Sequence, residues 1–85
     1  MTEEIFKELG FERIDVSAEE AGDGRGFYYY SIDIGDICLI TNDDEDAQQN
    51  GWWCSVFDSI TLKIKGEGDL RELVKIVQLN TDARN

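Results

Sequence analysis

Phe27-Tyr28-Tyr29-Tyr30-Ser31-Ile32-Asp33-Ile34-Gly35-Asp36-Ile37-Cys38-Leu39-Ile40-Thr41 decides how this chain folds. β-Branched and aromatic residues fill both arms, and such residues suit a half-buried pleated surface. Between the arms, Gly35-Asp36 supplies a two-residue hairpin turn, where glycine can take the positive φ that a tight connection needs. Side chains alternate across a strand, so counting by twos puts Tyr28, Tyr30, Ile32, Ile34, Ile37 and Leu39 on one face. Phe27, Tyr29, Ser31, Asp33, Cys38 and Ile40 take the other.

On the N-terminal side of this hairpin, Phe11 to Val16 reads as a further strand and Ser17 to Gly26 as a loop. Ahead of it Thr2 caps a short helix, with Glu3 and Glu4 against its positive end. Gly10 stops that helix, which lets Phe11 fold back onto Phe6. On the C-terminal side, Asn42 to Gly51 reads as a long acidic loop and Trp52 to Phe57 as a strand. Ile60 to Lys65 alternates apolar with polar and reads as one more strand. A tight turn at Asp58-Ser59 then sends Trp53 and Phe57 inward, and Trp52, Cys54 and Val56 outward. Asp69 is placed to cap a final helix, with Glu72 three residues on and Leu70, Leu73, Val74 and Val77 along one stripe. The expected fold class is α+β: an antiparallel sheet of four to five strands flanked by an N-terminal and a C-terminal helix, in two layers.

Composition fits one small domain over residues 1–85. Ile, Leu, Val and Phe make up 23 of the 85 residues, above the roughly one-fifth share below which a highly charged chain stays unfolded. Net charge is −11 and unevenly spread. From Gly26 to Leu62 there is no Lys or Arg, while seven acids and seven of the nine aromatics fall in that stretch.

These numbers exclude more than they assign. With no histidine, the chain lacks Ser-His and Cys-His nucleophile pairs and the commonest zinc ligand. Cys38 and Cys54 read as small packing residues in a reduced, cytoplasmic setting. Met1-Thr2-Glu3-Glu4 is acidic where a signal peptide is basic, and no apolar run approaches a membrane span. Asp43-Asp44-Glu45-Asp46 lacks the glycine and glutamate spacing of a calcium loop, so no metal is expected. Gly22-Asp23-Gly24-Arg25-Gly26 lacks the Lys-Ser/Thr ending of a phosphate loop, and no cofactor is expected. Direct nucleic-acid binding is disfavoured, since the field has the wrong sign. No enzyme chemistry can be read from these residues.

A surface argument remains. The sheet face with Phe27, Tyr29 and Ile40, together with Trp52 and Val56, is too apolar to leave in water. The N-terminal helix, a second copy of the chain or a different protein could cover it. The expected partner-binding residues are Asp43, Asp44, Glu45 and Asp46 for charge, with Tyr29 and Trp52 as aromatic anchors. A basic protein partner fits that set, and a structural homodimer, or a small ligand-binding domain or enzyme, is the alternative.

Leu9-Gly10-Phe11, Tyr28-Tyr29-Tyr30, Trp52-Trp53 and Leu70-x-x-Leu73 together resemble short uncharacterised α+β proteins encoded by phages and mobile elements of gut bacteria. In size and charge the chain is also similar to phage-encoded inhibitors of host nucleases, including anti-CRISPR proteins. That likeness implies an acidic domain displaying carboxylates where nucleic-acid phosphates would sit. Those inhibitors share no motif, so the likeness carries over no functional residue.

Overall fold

A computed structural model describes residues 1–22, 24–57 and 62–82, with side chains up to residue 79. The elements in chain order are α1 (Glu3–Glu8), β1 (Glu12–Val16), α2 (Ala18–Ala21), β2 (Phe27–Ile34), β3 (Ile37–Thr41), α3 (Asp44–Asn50), β4 (Cys54–Val56) and α4 (Glu67–Asp82). The four strands form an antiparallel sheet in the order β1-β2-β3-β4. The class is α+β, as the sequence predicts.

The central hairpin turns at Gly35, φ +62°, and pairs Ile34 with Ile37. Parity then propagates through the sheet: Arg13 opposes Tyr30, Ile14 opposes Tyr29, Leu39 opposes Val56 and Thr41 opposes Cys54. One face, called inner here, carries Tyr30, Ile34, Leu39 and Cys54. It packs with Ile5 and Phe6 of α1 and with Leu70, Val74 and Val77 of α4 into a single core. Phe6, Tyr30, Leu39 and Leu70 are almost wholly buried, which is where most of the hydrophobic stabilisation of so small a domain must come from. An exposed ion pair between Arg71 and Glu8, 2.7 Å, joins the two helices at the rim.

The end of α1 shows why this packing is precise. The Gly10 N–H donates to the Lys7 carbonyl and the Phe11 N–H to the Phe6 carbonyl, with Gly10 at φ +89°. This is the Schellman pattern, and its usual apolar contact is the Phe6–Phe11 ring pair, 5.4 Å apart. Glu3 at the other end of α1 accepts from two phenols, Tyr30 at 2.7 Å and Tyr28 at 3.2 Å. Burial first, then the bond to Glu3, pushes the Tyr30 phenol up to about 12.

Several expectations are corrected. The region from Asn42 to Gly51 contains α3 rather than a loop: Asp43 accepts from the Asp46 N–H as N-cap, and three acids fill the first turn, where the helix dipole favours them. Ser17 to Gly26 opens with α2, held by a reciprocal Ser17–Glu20 capping box and closed by Gly22 at φ +73°. α4 begins at Glu67, before the expected Asp69 cap; the Leu70 N–H bonds the Gly66 carbonyl, and Asp69 sits inside the first turn. In the expected last strand, Ile64 makes only an isolated bridge to Cys54, and Leu62, Lys63 and Lys65 carry no strand. Asp58-Ser59, Ile60 and Thr61 lie outside the described residues.

The tryptophans are reversed. Pairing of Cys54 with Thr41 fixes the parity of the last strand, so Cys54 is fully buried inside and Val56 packs on the core. Trp52, two residues before Cys54, turns to the same side and meets Phe6 at 5.5 Å and Tyr30 at 5.7 Å. Trp53 faces the other way, and Phe57 is 56% exposed.

Candidate functional site

No described helix contributes to a core on the second, outer face of the sheet. Ile14 and Val16 of β1, Phe27 and Tyr29 of β2, and Ile40 of β3 lie half-buried there. The Phe27 and Tyr29 rings stand 6.4 Å apart. At the end of the sheet next to α3, this face deepens into an open cleft of about 440 Å³ lined by Phe27, Tyr29, Ile40, Thr41, Asn42, Asp43, Asp46, Trp53 and Lys63.

The cleft is built around Asn42, which is only 6% exposed. Its amide nitrogen donates to Asp46 Oδ2 at 2.7 Å and to the Gly51 carbonyl at 2.9 Å; its amide oxygen accepts from the Trp53 N–H at 3.0 Å. One side chain therefore ties both ends of α3 to the chain entering β4. A buried polar group is tolerated only when so satisfied. Asp46 collects two further donors, Asn50 Nδ2 at 3.0 Å and the Trp53 indole N–H at 3.2 Å. The donors Asn42 and Asn50, then Trp53 and the nearby Lys63 charge, hold the Asp46 carboxyl below its usual range. The Trp53 ring is thereby fixed as a wall, and the Lys63 ammonium lies 5.0 Å from its centroid.

The structure separates the residues expected to bind. Tyr29, Asp43 and Asp46 meet at the cleft. Trp52 is on the opposite face, among core aromatics, and is no outer-face anchor. Asp44 does not line this cleft; it accepts from the Tyr28 N–H at 2.9 Å and holds α3 against β2. Glu45 turns toward Arg25, 3.4 Å away. Sequence reading missed Trp53, Asn42 and Lys63. The helix signal that would have placed Asn42 was present: an Asp N-cap, three acids in the first turn and a glycine at the end; the facing of Trp53 depends on the pairing of Cys54 with Thr41.

Elsewhere the chemistry is structural. Burial pushes the Cys54 thiol up to about 12, and burial together with a bond to Asp33 raises that of Cys38; both cysteines are free. No group of described residues could hold a metal ion, and no described helix is long and apolar enough to cross a membrane. A second groove near Arg13, Asp15, Glu20 and Arg25 mixes both signs of charge. Arg13 is already engaged there, stacked 3.6 Å over the Tyr28 ring and bonded to Asp15.

No family model, curated protein or solved structure matches the chain. Three aromatic walls with two carboxylates at one end attract cations: ring faces are negative, and a carboxylate beside them adds a directed acceptor.

Proposed function

We propose that this chain is a non-enzymatic protein-binding module whose outer sheet face docks a basic protein partner. One observation carries the reading: both helices that build the core pack on the inner face, leaving Phe27, Tyr29, Ile40 and Trp53 half-buried beside Asp43 and Asp46. Aromatic residues beside a polar rim are the usual anchors of an interface. A net charge of −11 steers a partner of opposite sign toward them. In its concrete form the module is an acidic inhibitor of phage type. It occupies the basic groove of a host protein that handles nucleic acid, and it works inside the cell.

The partner captured from the source cell, once purified, gives the test. Asn and Gln at Asp43, Asp44, Glu45 and Asp46 keep an acceptor oxygen at each position and remove the charge. Association should slow and its salt dependence flatten, while Tyr29→Ala should raise the dissociation rate. Unchanged rates at low salt would end the electrostatic part of the reading. Sedimentation across micromolar concentrations tests the competing occupant: a monomer–dimer equilibrium abolished by Tyr29→Asp would put a second copy of the chain on this face instead.

A further inference from the structure

The docking face contains one place with a specific shape and charge, and its occupant is visible. We infer that the cleft at Trp53 is a seat for a single cationic side chain of the partner, arginine or lysine, and that Lys63 is the chain's own occupant of that seat. The inference rests on the docking role proposed above and narrows it to a side-chain chemistry.

Four observations converge. The Lys63 ammonium lies over the Trp53 ring, 5.0 Å from its centroid, and among the described residues it makes no ion pair with a carboxylate. Its charge acts on the nearby Asp46 carboxylate without a close ion pair, and the ammonium rests on the indole. The ring is not free to turn, because its N–H is bonded to Asp46 Oδ2. Asp43 and Asp46 both line the cleft, and Asp43 has committed one oxygen, to the Asp46 N–H at 2.8 Å. Phe27 and Tyr29 complete the walls on the β2 side. Fixed aromatic faces with carboxylates at one end suit a cation with a flat or methylene-rich body.

Lys63 is itself exposed and lies outside any strand; the bridge of its neighbour Ile64 to Cys54 holds the backbone at the sheet, so only the Lys63 side chain has to move. A guanidinium, planar and more weakly hydrated than an ammonium, stacks on indole more readily and can bond a carboxylate through two parallel N–H groups. A partner arginine should therefore displace Lys63 rather than bind beside it. The lysine keeps the aromatic seat covered when the partner is absent, and it sets a modest competitive barrier to weak cations.

The test titrates the full-length ¹⁵N-labelled protein with Nα-acetyl-arginine methylamide, using the uncharged citrulline analogue as control. The Trp53 indole N–H resonance should shift with arginine and stay still with citrulline. Lys63→Met keeps the stem and removes the ammonium; it should tighten arginine binding about two- to fivefold, the range set by one exposed cation–ring contact. Lys65→Met changes net charge equally at a nearby exposed position outside the cleft and should leave affinity nearly unchanged. Equal tightening by both variants, or an indole resonance that never moves, would overturn the seat. If arginine shifts the Tyr29 and Ile40 amides while the Trp53 indole stays still, the seat is wrong and the docking face stands. If nothing on the outer face moves and the purified partner binds normally to Tyr29→Ala, both fail.

Discussion

Replacing Asn42 with alanine should cost this small protein a large share of its stability, although the side chain touches little of the hydrophobic core. Three hydrogen bonds disappear together: to the Gly51 carbonyl, from the Trp53 N–H and to the Asp46 carboxylate. Neutral hydrogen bonds contribute about 1 kcal/mol each and one to a charged group about 1.5–3, for a gross loss of about 4 kcal/mol. Water can reach the partly buried partners, which reduces the net loss to about 3 kcal/mol. Domains of this size hold about 4–13 kcal/mol in total, so the variant sits near the edge of folding. The assay is urea unfolding followed by circular dichroism: the midpoint should fall with the slope unchanged, and the melting temperature should drop by about 12–24 °C. Asn50→Ala serves as a control, since it removes only one exposed bond to Asp46 and should cost under about 0.5 kcal/mol. A loss below about 1 kcal/mol for Asn42→Ala would show that α3 is anchored by something else, and the account of the cleft wall would fall with it.

Other expectations are as direct. Because the Tyr30 phenol is raised to about 12 in the folded protein, its contribution is intact below pH 10 and is lost as pH climbs from about 10 to 12; absorbance at 295 nm during alkaline titration should show a tyrosine ionising only as the fold melts, and Tyr30→Phe should weaken that pH dependence. The Asp46 carboxyl is depressed, so its contribution is present above the ordinary carboxylate range and is lost as pH falls through its folded value; acid unfolding monitored by Trp fluorescence should shift to higher pH in Asn42→Ala, which removes the largest cause of the depression. Gly26→Ala should destabilise by about 2 kcal/mol in thermal melts, because φ is +79° and the added carbon would lie 2.7 Å from the Val16 carbonyl oxygen. Cys54, fully buried with a thiol raised to about 12, should react with a disulfide reagent only at the rate of unfolding, after the half-buried Cys38.

The hairpin, the two flanking helices and the α+β class were legible because their signals are local. Gly35-Asp36 marks a turn, alternation marks two faces, and Leu70, Val74 and Val77 mark a helix stripe. The facing of Trp52 and Trp53 was not legible, since it depends on which residue of β4 meets Thr41 across the sheet. A one-residue change in that register exchanges every side chain between faces, and counting from a turn at Asp58-Ser59 gives the opposite parity to the pairing with β3. The acidic run was misread for a different reason. Four acids in a row suggest a solvated loop, yet at a helix start the same acids are stabilising, and Asp43, Asp44 and Asp46 each hold a backbone or side-chain donor. Of the candidate site, Tyr29, Asp43 and Asp46 could be named in advance. Trp53 and Lys63 needed the register.

A single claim supports the functional account: the outer sheet face, and not the helical side, meets a basic macromolecule. Hydroxyl-radical footprinting of the free protein and of its complex with the captured partner reads that claim side chain by side chain. The account predicts that Phe27, Tyr29 and Trp53 lose reactivity on binding while exposed Leu79 on α4 does not. Protection centred on α4, with the three outer-face aromatics as reactive as in the free protein, would contradict it.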